Sequence, residues 1–224
     1  GLGDVYKRHE YQLLYSFPNN AIQTDRGLKI LTYNVRLFNQ YQWIKTDAIP
    51  NQIARFIAQE SPVASDLRVL LSILKVSNNL ERIGDHAKNT AKRTNVLLQL
   101  KDVENSQAAL RRLSKDVQVM LKDALDAYIN RDADLALDVI SRDTEVDELY
   151  SGLFREFLTY MMEDPRNITA CMHLHFIAKN IERMGDHVTS IAEQVVFVVT
   201  GEMPKEKRDK ADNTSENIEL SKGL

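Results

Sequence analysis

Two pairs of carboxylates have the type and spacing to do chemistry. Glu81-Arg82-Ile83-Gly84-Asp85-His86 and Glu182-Arg183-Met184-Gly185-Asp186-His187 each place an acid four residues before another, with a glycine between. On a helix the acids of a pair share one face, with Cβ atoms roughly 5–6 Å apart, where like charges cost about 0.2–0.5 kcal/mol. The glycine adds about 0.8–1.0 kcal/mol against alanine. Two readings account for these costs arising twice. Paired carboxylates are hard oxygen donors for magnesium, manganese, calcium or iron ions; a bound cation reverses the repulsion, and glycine lets neighbours come close. Alternatively, the acids form a solvated face partly neutralised by Arg82 and Arg183, with the glycine serving helix packing.

These pairs sit inside a repeat. Residues 79–86 recur as residues 180–187, an offset of 101 positions (182 minus 81), which implies two similar domains. From Asp47 onward the chain reads as helix, with Ile53, Phe56 and Ile57 on one stripe. Ser61-Pro62 predicts an N-cap with proline at the first helical position. The helix after it carries Leu67, Leu70, Leu71, Leu74, Ile83 and Ala87, and runs to about Leu98. A polar turn at residues 102–105 precedes a helix bearing Leu110, Leu113, Val117, Met120, Leu121, Ala124 and Tyr128. Asp132 caps the next, with Leu135, Val139, Val146, Leu149, Leu153, Phe157 and Met161. Asp164-Pro165 starts the last, whose stripe is read as Ile168, Met172, Phe176 and Ile181. Long helices joined by short turns pack antiparallel as a bundle.

Leu80-Glu81-Arg82-Ile83-Gly84-Asp85 and Ile181-Glu182-Arg183-Met184-Gly185-Asp186 resemble the paired signature of the PhoU family, phosphate-transport accessory and regulatory proteins. Ser61-Pro62-Val63-Ala64-Ser65-Asp66-Leu67-Arg68 and Tyr160-Met161-Met162-Glu163-Asp164-Pro165-Arg166 resemble the junctions before the two copies, so the likeness runs from about residue 50 to 201. It implies an all-α fold of two three-helix bundles in tandem and metal bound by Glu81, Asp85, Glu182 and Asp186. Iron is the first expectation, then manganese or magnesium. It also implies negative regulation of phosphate uptake and of the phosphate-starvation response, through a phosphate ABC transporter and a sensor histidine kinase.

On this reading residues 47–101 are a partial first bundle, truncated at its N-terminus, residues 102–201 a complete second bundle, and residues 202–224 a disordered tail rich in Lys, Glu and Asn. The truncation predicts an exposed apolar seam that invites dimerisation or aggregation, and a homodimer is the expected form. Residues 1–46 do not fit the rest. Leu28-Lys29-Ile30-Leu31-Thr32-Tyr33-Asn34-Val35-Arg36-Leu37-Phe38 reads as a β-strand. The stretch from about 28 to 45 resembles the start of the endonuclease/exonuclease/phosphatase family, where an Asn at the position of Asn34 helps organise a catalytic metal. None of that family's later Glu, Asp and His motifs follows, so the segment reads as foreign. A metal-dependent phosphodiesterase or nuclease fragment is therefore an alternative function, and a structural helical oligomerisation module is another.

The whole chain of 224 residues is 43% hydrophobic and 27% charged, the make-up of a soluble globular protein. Its formal net charge of −3 gives no footing for nucleic acid. No apolar run near either end approaches the roughly 20 residues of a membrane span, so any membrane association is peripheral. One cysteine, Cys171, permits no intrachain disulfide and suggests a reducing, cytoplasmic setting, with its apolar neighbours predicting a buried thiol. No nucleophile with a base is apparent, so the chain reads as no enzyme and no catalytic residue is assigned. His86 and His187, about 100° around the helix from the acids, read as solvated or interhelical, or as ligands if a neighbouring helix turns a side chain inward, and Asn79 and Asn180 as interhelical hydrogen-bonders ahead of a ligand-orienting role. His173 and His175, two apart, read as packing or surface residues. Asp123 is read either as a further oxygen facing the second pair or as a surface acid beside Lys122 or Arg131.

Overall fold

The computed structural model describes residues 48–100 and 106–204, and every regular element among them is helical. The helices are α1 (Ala48–Glu60), α2 (Ala64–Leu97), α3 (Ser106–Asn130), α4 (Ala133–Glu163) and α5 (Ile168–Thr200), with a 3-10 turn, Pro165–Asn167, before α5. The expected strand at residues 28–38, the turn at 102–105 and the tail beyond Pro204 lie outside the described residues.

Helix boundaries follow local chemistry. Asp132 accepts a hydrogen bond from the Leu135 backbone N–H at 2.9 Å, so it caps α4 as its side chain predicts. Asp132→Ala should cost about 1 kcal/mol, read as a lower urea midpoint with an unchanged slope. Asp164 closes α4 and accepts from the Arg166 backbone N–H, which starts the 3-10 turn at Pro165. Gly201 ends α5 with φ 83°, a left-handed conformation that glycine adopts without a Cβ clash. The start of α2 departs from the sequence reading. Val63 precedes its first residue and no side chain caps it. Ser61 instead donates its backbone N–H to the Ile57 carbonyl at 3.2 Å, with φ 45°. It finishes α1 rather than starting α2, because three residues are needed to reverse the chain there.

The last helix is the centre of the fold: α2, α3 and α4 all pack on α5, α3 also packs on α4, and α1 rests mainly on α2. Helices α3, α4 and α5 make a three-helix bundle. Leu113, Met120 and Ala124 of α3, Val139, Tyr150 and Phe157 of α4, and Ile181, Val188 and Ile191 of α5 are each no more than 2% exposed. Among the described residues the first bundle is represented by α1 and α2, and the architecture is all-α with two bundles in tandem. Leu71 on α2 and Ile57 on α1 are exposed.

The stripe expected on α5 is corrected. Ile168, Met172 and Phe176 are about 40% exposed or more, whereas Cys171, Leu174, Ile177, Ala178 and Ile181 are buried. A helix covered on three sides buries most of its circumference, so a single stripe picked at four-residue steps can follow the one face that stays open. Phe176 is covered instead by the Arg93 guanidinium, 4.1 Å from its ring centre.

Candidate metal centre and helix crossing

The two copies of the repeat meet where α2 crosses α5. His187 Nδ1 lies 2.8 Å from Asn79 Oδ1, and His86 Nδ1 lies 3.0 Å from Asn180 Oδ1. Each residue sum is 266 (79 plus 187, 86 plus 180), so the helices run antiparallel about a local two-fold axis. Each amide nitrogen donates one turn back along its own helix, Asn79 to the Lys75 carbonyl and Asn180 to the Phe176 carbonyl. The amide oxygens therefore face the histidines, and because such oxygens only accept, each Nδ1 carries the proton and donates. The two rings stack with centroids 5.6 Å apart. Asn79 and His86, like Asn180 and His187, are seven residues apart, two turns of one face. All four side chains thus take the interhelical role expected of them. Burial, then the facing His86, holds the His187 imidazole below its ordinary pKa, with Asp186 opposing.

The second acid pair lies beside this crossing, on the α4 side of α5. Glu182 is only 3% exposed. Lys179, one turn earlier, donates to its Oε1 at 3.1 Å, while Oε2 is buried with no hydrogen-bond partner. Its pKa is pushed up to about 7, by burial first and then by the nearby charges of Asp186 and Asp147, with Lys179 pulling the other way. The Lys179 ammonium also lies 4.6 Å from the centre of the Tyr150 ring.

Across from this pair, α4 carries Asp143 and Asp147, four residues apart and 6% and 4% exposed. A Cβ at Gly185 would sit 3.3 Å from Val146 Cγ1 and 3.7 Å from Asp143 Oδ1. The glycine therefore lets α4 bring its own acids against α5. Gly185→Ala gains about 0.8–1.0 kcal/mol in helix propensity but presses on Val146, whose β-branched side chain has one strongly preferred rotamer in a helix. Alanine should come out near neutral, and Gly185→Val should cost about 1–3 kcal/mol by overpacking, read by thermal melts in chelator.

At the first copy, Glu81 and Asp85 are half-buried on α2. Positions matching Asp143 and Asp147, 101 residues earlier, are 42 and 46, outside the described residues. Among the described residues no three His, Cys, Asp or Glu side chains already converge as metal ligands. The second site nevertheless fits a hard cation by donor type and burial: carboxylates of Glu182, Asp186, Asp147 and Asp143, and an orphaned Glu182 oxygen. Arg183 is exposed, so the counter-charge at Glu182 comes from Lys179, which the spacing of the motif did not disclose.

Other candidates resolve differently. Asp123 pairs with Arg142 at 2.7 Å, while Lys122 pairs with Asp126. It is neither a fifth acid at the second pair nor a partner of Lys122, because Arg142, reaching over from α4, is the nearer cation. His175 packs among Tyr150, Phe154 and Phe176. Cys171 is fully buried and burial pushes its thiol pKa up, which makes it a packing residue. Asp143 and Asp147 were missed, yet they interrupt the apolar stripe of α4 between Val139 and Tyr150. Two acids four apart on a core-facing stripe repeat the signal of the motif itself.

The chain matches the PhoU domain over residues 45–94 and 110–195, beginning beyond residues 28–38, so nothing in the match bears on the second resemblance. It is 49% identical over 168 residues to a protein of Caulobacter vibrioides named as a phosphate-specific transport system accessory protein PhoU homolog, covering 75% of this chain and 73% of that one. A Rhizobium meliloti protein of the same name is 47% identical over 159 residues, covering 71% and 67%. Among solved structures, PhoU from Pseudomonas aeruginosa superposes with a TM-score of 0.73 at 37% identity, covering 78% of this chain and 83% of that one. The phosphate transport system regulatory protein PhoU from Streptococcus pneumoniae gives 0.67 at 29% identity, covering 80% and 82%. With the family's domain matched over more than half of its length and relatives at 49% and 47% identity, the chain belongs to the PhoU family.

Proposed function

We propose that this chain is a regulatory accessory protein of phosphate transport, not an enzyme. It lowers phosphate uptake and starvation signalling through contacts with a phosphate ABC transporter and a sensor histidine kinase, working as a cytoplasmic homodimer peripheral to the membrane. The names carried by relatives at 49% and 47% identity support the transport role. Among the described residues no helix is long and apolar enough to cross a membrane.

In this reading the acid pairs bind cations, iron first, with manganese or magnesium as substitutes. The observation that carries it is the buried, unpartnered Oε2 of Glu182 beside Asp147 and Asp186. Glu182, Asp186, Asp147 and Asp143 would hold the ion at the second site, and Glu81 and Asp85 would contribute at the first. A cation there neutralises like charges and ties α4 to α5; the residues themselves position and desolvate the donors. The test is metal content of the full chain, purified without oxygen or chelator, beside Glu182→Ala/Asp186→Ala. Metal in the parent and its loss from the folded variant are expected; a well-folded parent that takes up neither iron nor manganese removes the metal reading. The regulatory half is tested in cells lacking their own family member, where the parent should restore low phosphate uptake. Unchanged uptake at adequate expression would remove it.

A further inference from the structure

The two acid pairs differ in their counter-charge. At the second, Lys179 donates to Glu182 Oε1 at 3.1 Å and lies 4.6 Å from the Tyr150 ring centre. At the first, the matching position (179 minus 101) is Asn78, which is exposed and uncharged. Sequence repetition therefore preserves the acids but not the cation.

We propose that Lys179 is a built-in counter-ion of the second site that competes with its metal. The site then takes a divalent ion only when the ammonium withdraws, whereas the first pair has an uncharged Asn78 at the matching position. This rests on the metal reading above. A single ammonium on one Glu182 oxygen leaves the other unpartnered, and with the ammonium in place no three carboxylates converge on one point among the described residues. A divalent ion needs several of these oxygens at once. An ammonium left against the same carboxylate would repel the ion through a poorly solvated gap. Lys179 has an exit, because its side chain is 28% exposed and its four-carbon stem is flexible enough to carry the charge into water. Leaving breaks its contact with the Tyr150 face, so occupancy of the site alters a contact between α4 and α5.

The experiment is titration of manganese(II) into the full, chelator-stripped chain, with bound and free metal separated by electron paramagnetic resonance. Parent, Lys179→Met, Lys179→Gln and Lys179→Arg are compared, with Glu182→Ala marking which binding belongs to the second site. Lys179→Met and Lys179→Gln should each tighten that site at least tenfold, and Lys179→Arg should keep it within threefold of the parent. Metal-free, Lys179→Met should melt below the parent; saturated with manganese, it should show the larger upward shift. Lys179→Gln retains a hydrogen-bond donor for Glu182 and covers the case in which methionine does not fold. Equal or weaker binding in the neutral variants, with Glu182-dependent binding intact in the parent, overturns the competition and leaves the metal reading standing. No Glu182-dependent manganese binding in any folded protein overturns both.

Discussion

In chelator, the chain should lose about 2–3 kcal/mol of stability between pH 5 and pH 8 through Glu182 alone, and Glu182→Gln should abolish that loss. The carboxyl is raised from an ordinary 4.5 to about 7 in the folded chain, chiefly by burial. Between those values the native state holds a proton that the unfolded state has released. Stability therefore falls as pH rises through this window, and the loss is complete once the native group ionises. A 2.5-unit displacement (7 minus 4.5) corresponds in full to about 3 kcal/mol. His187 works in the other direction. Its folded pKa is depressed, so its contribution is present above the unfolded value near 6.5 and is lost as pH falls through the folded value. The two windows overlap below pH 6.5, where the His187 contribution offsets part of the Glu182 loss. Urea unfolding followed by circular dichroism at pH 5, 6.5 and 8, on parent and variant together, separates the two groups. Parallel pH profiles would show that Glu182 is not the group responsible. The substitution also removes a carboxylate from the candidate centre, so added manganese should stabilise the parent more than the variant.

This prediction depends on facts of unequal legibility. The repeat was legible by comparing the chain with itself, and the α3 and α4 stripes, the Asp132 cap and the buried thiol from periodicity and residue type, because each of these depends on neighbours within two turns of chain. The crossing of α2 on α5 was half legible: Asn and His two turns apart announce a polar face, but which residue meets which depends on the register of two helices a hundred residues apart. Lys179 was not legible as the partner of Glu182. Arg183, adjacent in sequence, looked the nearer cation, yet one residue along a helix turns a side chain about 100°, while three residues bring Lys179 onto the face of Glu182. Asp143 and Asp147 were hidden by an assumption that acids lie outward. Burying them becomes tenable where several acids share a compensating charge.

Phe157→Ala should cost about 3–5 kcal/mol, a large part of the roughly 5–15 kcal/mol that holds a typical domain together, whereas Leu71→Ala should cost under about 1 kcal/mol. Phe157 is 1% exposed within the core that joins α3, α4 and α5; Leu71 on α2 is 44% exposed. Deleting the ring removes its transfer energy and leaves a void that three long helices cannot easily close, which is why the larger end of the range applies. The consequence reaches beyond one bundle. Helix α2 is held on α5 through the His86–Asn180 and His187–Asn79 bonds, so loosening α5 removes the surface on which α2 stands. Thermal melting of Phe157→Ala should remain a single transition, displaced downward by roughly 10 °C or more at 2–4 °C per kcal/mol, and hydrogen exchange should accelerate in α2 together with α3–α5. Leu71→Ala should shift the midpoint by a few degrees at most and leave exchange in α3–α5 unchanged. If α2 kept its protection while α3–α5 lost theirs, the two bundles would be energetically separate and α5 would not be the shared support of the fold.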